Sequence, residues 1–399
     1  MKEKLVTEEI RFYGIVQGVG FRPTVYGIAK ELNLKGEVSN DGQGVIIKVT
    51  GKQNTLDKFV EKINIKTPPL AKIEKVTRTK ITETINYSDF QIAPSINNNI
   101  RTKIAPDAAT CPSCKEEIFN PKSRWYGYGF TNCTHCGPRL SIIKKLPYDR
   151  PNTSMAEFKF CPQCWQDYSD PLHRRFHAQP TACHICGPKV WLEGADHSFS
   201  ELDIFEQVAQ LILTGNIVGI KGLGGFHLAC DATNQTVVEK LRAKKLRPDK
   251  PFALMARDIN IIAEYCLVTP KEKEILTSAA APIVLLQIQV KKKVAASVAP
   301  GQNILGFMLP YTPIHHLIFK NLTIPIVLTS GNFADEPQWI KNEEAREKLG
   351  KIADYLLLHN REIVNRVDDS VVIVKNEKPQ ILRRARGYAP APINLPVGF

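Results

Sequence analysis

The sequence predicts a multidomain α/β chain of three successive units, over residues 1–93, 94–197 and 198–389, with 390–399 as a tail or truncated linker. Three observations lead there. The first unit alternates strand and helix patterns in the order β-α-β-β-α-β. The middle unit holds eight of the ten cysteines, in four Cys-x-x-Cys pairs, and few long apolar stretches. The last unit returns to buried apolar runs alternating with amphipathic segments. A length of 399 residues asks for two or three domains. Hydrophobic content of 43% and charged content of 23% are those of a soluble globular protein.

In the first unit EIRFYGIV reads as a strand and Pro23 to about Asn33 as a helix, with proline in the first turn where its missing N–H costs nothing. GEVSN and GVIIKVTG flank the DGQG turn as a hairpin. Leu56, Phe59, Val60 and Ile63 have helical spacing, and further strands fall near Ile73–Thr79 and Tyr87–Ile92. This is the ferredoxin-like α+β pattern. Between the first strand and helix stands QGVGFRP, residues 17–23. Backbone N–H groups unencumbered at their glycines, ending at a helix N-terminus, form an anion cradle. Arg22 adds a bidentate fork for phosphate oxygens. Asn40, just before the hairpin turn, can orient a water in line with phosphorus. A plain strand–helix turn is the alternative.

In the middle unit Cys111, Cys114, Cys133 and Cys136 form C-x2-C-x18-C-x2-C, and Cys161, Cys164, Cys183 and Cys186 repeat it 50 residues later. Two thiolates on each side of such a loop complete a tetrahedron, so two structural zinc sites with no open ligand position are expected. MKEKLVTEEI has neither an apolar stretch nor a cleavage site. The expected location is therefore cytoplasmic, where metal is favoured over disulfides. No apolar run is long enough to span a bilayer. Sequential pairing closes shorter loops than crossed pairing. His135, His173, His177 and His184 stand near the clusters, but each cysteine set is already full. Cys230 and Cys266 lack a nearby partner and are expected to be buried thiols. Metal is expected to hold this segment together.

In the last unit Phe205–Leu213 reads as a helix, NIVGIKG as a strand entering a glycine-rich turn at Lys221, Val237–Lys245 as a helix, and APIVLLQI and IPIVLTSGN as strands. EKLRAKKLRPDKPF places six bases within eleven positions. Pro248 and Pro251 argue that the later ones sit on a constrained loop, able to present Lys245, Arg247 and Lys250 to polyphosphate. LTSGN puts Ser330 and Asn332 at a strand end, the usual ligand end of an α/β sheet. NRVDDS (Arg366, Asp368, Ser370) and LRRARGYAP (Arg384) add anion-binding and possible metal-coordinating groups. No GxxxxGK[ST] motif is present. His227 can contact substrate or simply pack. The net charge of +13 fits an anionic partner or a solvated basic surface.

GIVQGVGFRPTVYGIAKEL and GEVSNDGQGV resemble the acylphosphatase family. The resemblance implies that Arg22 binds the phosphoryl group and Asn40 holds the attacking water. The last unit is similar to the YrdC-type nucleotide-binding family, whose Lys, Arg, Ser and Asn set falls on Lys245, Arg247, Ser330 and Asn332, implying a twisted-sheet α/β domain that binds ATP with Mg²⁺. KGLGGFHLACDATN, LRPDKPFALM, LGFMLPYTPIHHL, SGNFADEP and the three-part order together resemble the hydrogenase-maturation carbamoyltransferase family. That resemblance implies hydrolysis of carbamoyl phosphate to carbamate in the first unit. It implies a sheltered passage and adenylation by ATP to carbamoyl-adenylate and pyrophosphate in the third. The carbamoyl group would then go to the C-terminal cysteine of the partner protein HypE, as the precursor of the cyanide ligands of nickel–iron hydrogenase. Family members continue into a large domain that makes this transfer, so this chain is expected to form the adenylate without completing the transfer alone. Two other readings stay open. A threonylcarbamoyl-adenylate synthase for tRNA modification would depend on threonine and bicarbonate. A nucleic-acid-binding zinc protein would show salt-sensitive RNA binding without turnover, but no RNA-stacking signature points to a nucleic-acid partner.

Overall fold

The computed structural model describes residues 5–81, 87–94, 103–194, 203–289, 291–334 and 336–393. Parts of the segment read as a polar linker (95–102) and of the tail (394–399) lie outside them. The first unit runs β1 (Leu5–Ile15), α1 (Phe21–Glu31), β2 (Lys35–Asn40), β3 (Gly44–Lys52), α2 (Gln53–Ile65), β4 (Lys72–Ile81) and a short β5 (Phe90–Ile92). The sheet order is β4-β1-β3-β2-β5. The central pairs are antiparallel, and β5 adds an edge parallel to β2. Ile10 and Phe12 of β1 alternate inward and meet Val25 and Ile28 of α1 and Leu56, Phe59 and Ile63 of α2. This is the predicted ferredoxin-like unit. Its helix starts two residues before Pro23, which stays in the first turn.

The two cysteine repeats open on matching helices, α3 (Pro112–Phe119) and α4 (Pro162–Ser169). In each the first cysteine is the N-cap and a proline opens the helix.

The large sheet begins inside the segment read as fingers, with β6 (Val190–Glu193). There follow α5 (Ile204–Leu213), β7 (Val218–Lys221), β8 (Phe226–Asp231), α6 (Gln235–Lys244), β9 (Ala253–Met255), α7 (Ile259–Tyr265), α8 (Pro270–Leu276), β10 (Ile283–Gln287), β11 (Ile304–Met308), α9 (Pro313–Ile318), β12 (Ile326–Ser330), α10 (Asn342–Lys348), β13 (Tyr355–His359), β14 (Val371–Lys375) and β15 (Lys378–Arg383). The ten strands lie in the order β15-β14-β10-β11-β9-β12-β8-β7-β13-β6. Parallel and antiparallel pairs mix, as in β10 with β14 against β8 with β12.

Successive residues of one strand serve two cores, because side chains alternate across a sheet. Ile326 and Leu328 face one core and Val327 the other. Helices α6, α7 and α8 cover one face through Leu241, Ile262 and Leu276. The opposite face receives α5 and α9 together with Trp125, Tyr128, Phe130, Ile142 and Met155 of the finger segment. The fingers are therefore not held by metal alone: their aromatic residues share an apolar core with the third unit. Cys230 and Cys266 are buried in the other core, where burial pushes both thiols up.

Candidate active sites and metal centres

QGVGFRP forms the turn between β1 and α1. Gly18 and Gly20 take φ of 69° and 81°, the left-handed region that glycine enters without strain. They are also closely covered: a Cβ on Gly18 would stand 2.7 Å from the Tyr148 ring, and one on Gly20 3.1 Å from Thr134. Gln17 donates to the carbonyls of Asp41 and Gly44 at 2.8 and 2.7 Å, tying the loop to the hairpin that carries Asn40. Arg22 and Asn40 are both buried, and the Asn40 Oδ1 has no hydrogen-bond partner among the described residues. Arg22 faces Asp149 of the finger segment at 3.8 Å. Burial lowers the Arg22 pKa and Asp149 partly offsets this, yet a guanidinium remains a cation. A narrow cavity here is walled by Gly18, Gly20, Arg22, Tyr148, His177 and Gln179 among others. Tyr148, His177 and Gln179 come from the fingers, which sequence reading of residues 1–93 could not show.

The eight cysteines gather as predicted, 111/114/133/136 and 161/164/183/186, without crossing. Sulfur–sulfur separations of 3.5–3.8 Å in the first cluster, and 3.7 and 3.9 Å in the second, match the ~3.8 Å edge of a tetrahedron with Zn–S near ~2.3 Å. All ten cysteines are unpaired as disulfides. The four-sulfur sets fit zinc, and the neighbouring histidines stay outside them. Across the 50-residue repeat the arginines are exchanged. Arg174 of the second half donates to Cys111 and Cys114 of the first at 3.3 and 2.8 Å. Arg124 of the first half donates to Cys164 of the second at 3.3 Å. Glu117 pairs with Arg174 and Asp167 with Arg124, again across the halves.

In the third unit Lys245 closes α6, and its ammonium donates to the Ser330 carbonyl, the Asn332 carbonyl and the Asn332 Oδ1 at 2.5–2.6 Å. Burial, then the charges of Arg247 and Lys250, push its pKa down to about 7. Leu246 turns left-handed at φ 54°, starting the constrained loop that Pro248 and Pro251 suggested. Arg247 donates to the Lys250 and Pro251 carbonyls, and Lys250 is exposed. The base-rich run divides: Lys240 and Lys244 pair with Asp354, while Arg242 is anchored on the Ser297 and Arg247 carbonyls.

Ser330 lies opposite His227 in the β8–β12 ladder, and His227 reaches Asp369 at 3.1 Å. Arg386 binds the other oxygen of Asp369 at 2.8 Å and stacks on Tyr311 at 3.4 Å. Ser370 holds the Arg386 carbonyl and the Ala385 N–H. Arg366 donates to the Gln338 carbonyl beside this group, and Asp368 is exposed. Lys221 and Arg384 make their bonds elsewhere, to the His359 carbonyl and to the Tyr388 and Ala391 carbonyls. Burial pushes the Lys221 ammonium down to about 8. Sequence reading named Asp368 and Arg384; the buried ion pair is Asp369 with Arg386.

Burial alone would raise the Asp369 carboxyl, but the Arg386 charge and the His227 hydrogen bond outweigh it and hold the carboxyl well below the usual range. Its contribution to stability is therefore complete above the unfolded carboxylate value near ~4 and is lost as pH falls through the lower folded value. Asp369→Ala strands Arg386, only 2% exposed, and is expected to cost about 3–5 kcal/mol in urea unfolding at neutral pH. Asp369→Asn is expected to lose less, because the amide oxygen still accepts. An unchanged midpoint for the alanine variant would refute the pairing.

Family models match in the same order: acylphosphatase over residues 8–92, HypF finger over 110–143 and 160–193, and the Sua5/YciO/YrdC model, described as telomere recombination, over 210–385. The carbamoyltransferase HypF of Rhodobacter capsulatus is 48% identical over 390 residues, covering 98% of this chain and 51% of the relative. An acylphosphatase of Archaeoglobus fulgidus is 42% identical over 91 residues, 22% of this chain and 99% of its own length. A full-length HypF crystal structure, in a phosphate- and nucleotide-bound form, superposes with a TM-score of 0.95 at 45% identity, over 98% of this chain and 51% of that one. A crystal structure of T.kodakarensis HypF does so with a TM-score of 0.88 at 44% identity, over 98% and 50%. The chain spans about half the length of these relatives. With the acylphosphatase, HypF-finger and Sua5/YciO/YrdC models matching in this order and 48% identity to a HypF over nearly all of its own length, the chain belongs to the HypF family.

Proposed function

We propose that the chain performs the two opening steps of carbamoyl transfer in hydrogenase maturation, in the cytoplasm. Carbamoyl phosphate binds at QGVGFRP, with its phosphoryl group on the backbone N–H groups and Arg22. Asn40 holds a water through its buried, unpartnered Oδ1. The water oxygen attacks phosphorus, the bond from phosphorus to the acyl oxygen breaks, and carbamate leaves with that electron pair. An acyl phosphate is already activated, so positioning and charge neutralisation suffice. In the third unit a carbamate oxygen attacks the α-phosphorus of ATP, forming carbamoyl-adenylate and releasing pyrophosphate. Arg247 and Lys250 supply positive charge for the polyphosphate, Lys245 fixes the Ser330–Asn332 strand end that orients it, Mg²⁺ would neutralise the phosphates, and Arg366, Asp368 and Ser370 border the site, while Lys221 and Arg384 are engaged elsewhere. Zinc, held by the two cysteine sets, is structural. The carbamoyl group then passes to the C-terminal cysteine of HypE.

The observation that carries this reading is the union of an acylphosphatase loop and a Sua5/YciO/YrdC sheet through one finger segment that packs on both. Carbamate is short-lived in water, so consecutive sites benefit from such an arrangement. The match to HypF over 98% of the chain favours this reading over a threonylcarbamoyl-adenylate synthase, for which a fused acylphosphatase has no use. The test is pyrophosphate release from ATP with and without carbamoyl phosphate. Release that depends on carbamoyl phosphate is expected; release driven by threonine and bicarbonate instead would overturn the reading.

A further inference from the structure

The loop between the fingers holds one carboxylate, Asp149, beside the arginine of the QGVGFRP loop. Arg150 is buried and pinned by four contacts: its N–H to Gln179 Oε1 at 2.7 Å, and its guanidinium to the carbonyls of Gln179, Thr181 and Phe158 at 2.5–2.8 Å. Gln179 in turn donates to the His177 carbonyl and accepts from the Tyr168 hydroxyl. The backbone of Asp149 is fixed on both sides, donating to the Pro147 carbonyl and accepting from Asn152 N–H, each at 2.8 Å. This framework leaves the Asp149 carboxylate 3.8 Å from Arg22, beside the guanidinium but beyond hydrogen-bond length. His177, left-handed at φ 54°, lines the cavity. Burial, then the Arg22 charge, push this imidazole down to about 4, so it stands there neutral.

A carboxylate next to a phosphate-binding arginine opposes the phosphate charge, so its placement calls for a compensating donor on the substrate. An ionised carboxylate only accepts hydrogen bonds. Carbamoyl phosphate carries an NH₂ on the carbon adjoining the phosphoryl group; acetyl phosphate, of the same shape, carries a methyl there. We propose that Asp149 is the specificity-determining residue of the first site, accepting the amide N–H of a carbamoyl phosphate and rejecting acyl phosphates that lack a donor at that position. This rests on the acylphosphatase reading given above. The finger segment thereby contributes substrate choice as well as a wall. The Asp149 side chain is 31% exposed, so water competes for its lone pairs and discrimination is about tenfold rather than the roughly 10⁴–10⁵-fold of a fully buried site.

The test compares kcat/KM for carbamoyl phosphate and acetyl phosphate in the full chain, in Asp149→Ala and in Asp149→Asn, with inhibition by inorganic phosphate alongside. The parent is expected to prefer carbamoyl phosphate by about tenfold. The preference disappears in Asp149→Ala and is partly kept in Asp149→Asn, whose amide oxygen still accepts. Phosphate inhibition does not weaken in the alanine variant, since a negative neighbour of Arg22 has gone. If parent and alanine variant show the same ratio, or both substrates fall together, the assignment is wrong while the acylphosphatase reading stands. If the parent hydrolyses neither compound, that reading and the assignment fail together.

Discussion

Arg22→Ala is expected to lower kcat/KM for carbamoyl phosphate hydrolysis by about three orders of magnitude. On the proposed mechanism nothing on the enzyme attacks covalently, so the barrier is lowered by holding the phosphoryl group and neutralising it. Loss of a single preorganised donor costs about 10²–10³ in rate, and an arginine serving a phosphoryl group about 10³–10⁵. Arg22 is the buried cation of the QGVGFRP loop, so its removal takes the loop's own positive charge from the anion. The fold is expected to survive. The partner left behind, Asp149, is 31% exposed and can be hydrated. The second half of the experiment separates the two sites. Pyrophosphate release from ATP falls with hydrolysis when carbamoyl phosphate is supplied. It returns when carbamate is supplied directly from ammonium and bicarbonate. Hydrolysis within tenfold of the parent would show that the phosphoryl group is held elsewhere. Failure of carbamate to restore release would show that the sites do not act in series.

What the sequence carried and what it withheld have physical reasons. Zinc ligation is local chemistry, so the spacing of Cys111, Cys114, Cys133 and Cys136 was enough to assemble a tetrahedron. The first unit was legible because its strands alternate and its helices are amphipathic. The covering of its loop was not. Nothing in residues 17–23 shows that Tyr148 will rest on Gly18 or Thr134 on Gly20, more than a hundred residues away. In this chain those glycines answer two demands, positive φ and close approach. Strand β6 was also missed as part of the large sheet, because four half-buried residues carry no period; only its pairing with β13 reveals it. Among the site groups, Lys245, Ser330 and Asn332 come together as their motifs suggested. In NRVDDS and RRARG, by contrast, neighbouring residues point opposite ways, and the sequence does not say which carboxylate and which arginine turn inward. Asp369 and Arg386 do, and His227 joins them rather than packing alone.

Breaking one zinc site is expected to empty both. Cys164→Ser removes a buried thiolate from the second cluster and the acceptor of Arg124. A tetrathiolate zinc centre carries a net double negative charge, which hydrogen bonds from outside the ligand set reduce and orient; losing such partners costs ~10–100-fold in affinity. Here each partner is lent by the opposite half. Arg174, which serves Cys111 and Cys114, stands two residues before Phe176 in the strand of chain between the second cluster's pairs. When that cluster opens, the loop holding Arg174 loses its anchor, and Glu117, which binds both Arg174 and Arg175, loses its partners. Structural zinc contributes folding free energy outright. The Cys164→Ser chain is therefore expected to retain well under one zinc per molecule, against two in the parent, when assayed by metal release to a chromophoric chelator. Arg174→Ala gives the complementary result: faster release from the first cluster with both cysteine sets intact. Because Tyr148, Thr134 and His177 wall the cavity at Arg22, metal loss should carry hydrolysis down with it, although no cysteine of either cluster lines that cavity. A Cys164→Ser chain that keeps one tightly held zinc and full acyl-phosphate turnover would show that the fingers are independent modules, and that the exchanged arginines are ordinary surface contacts.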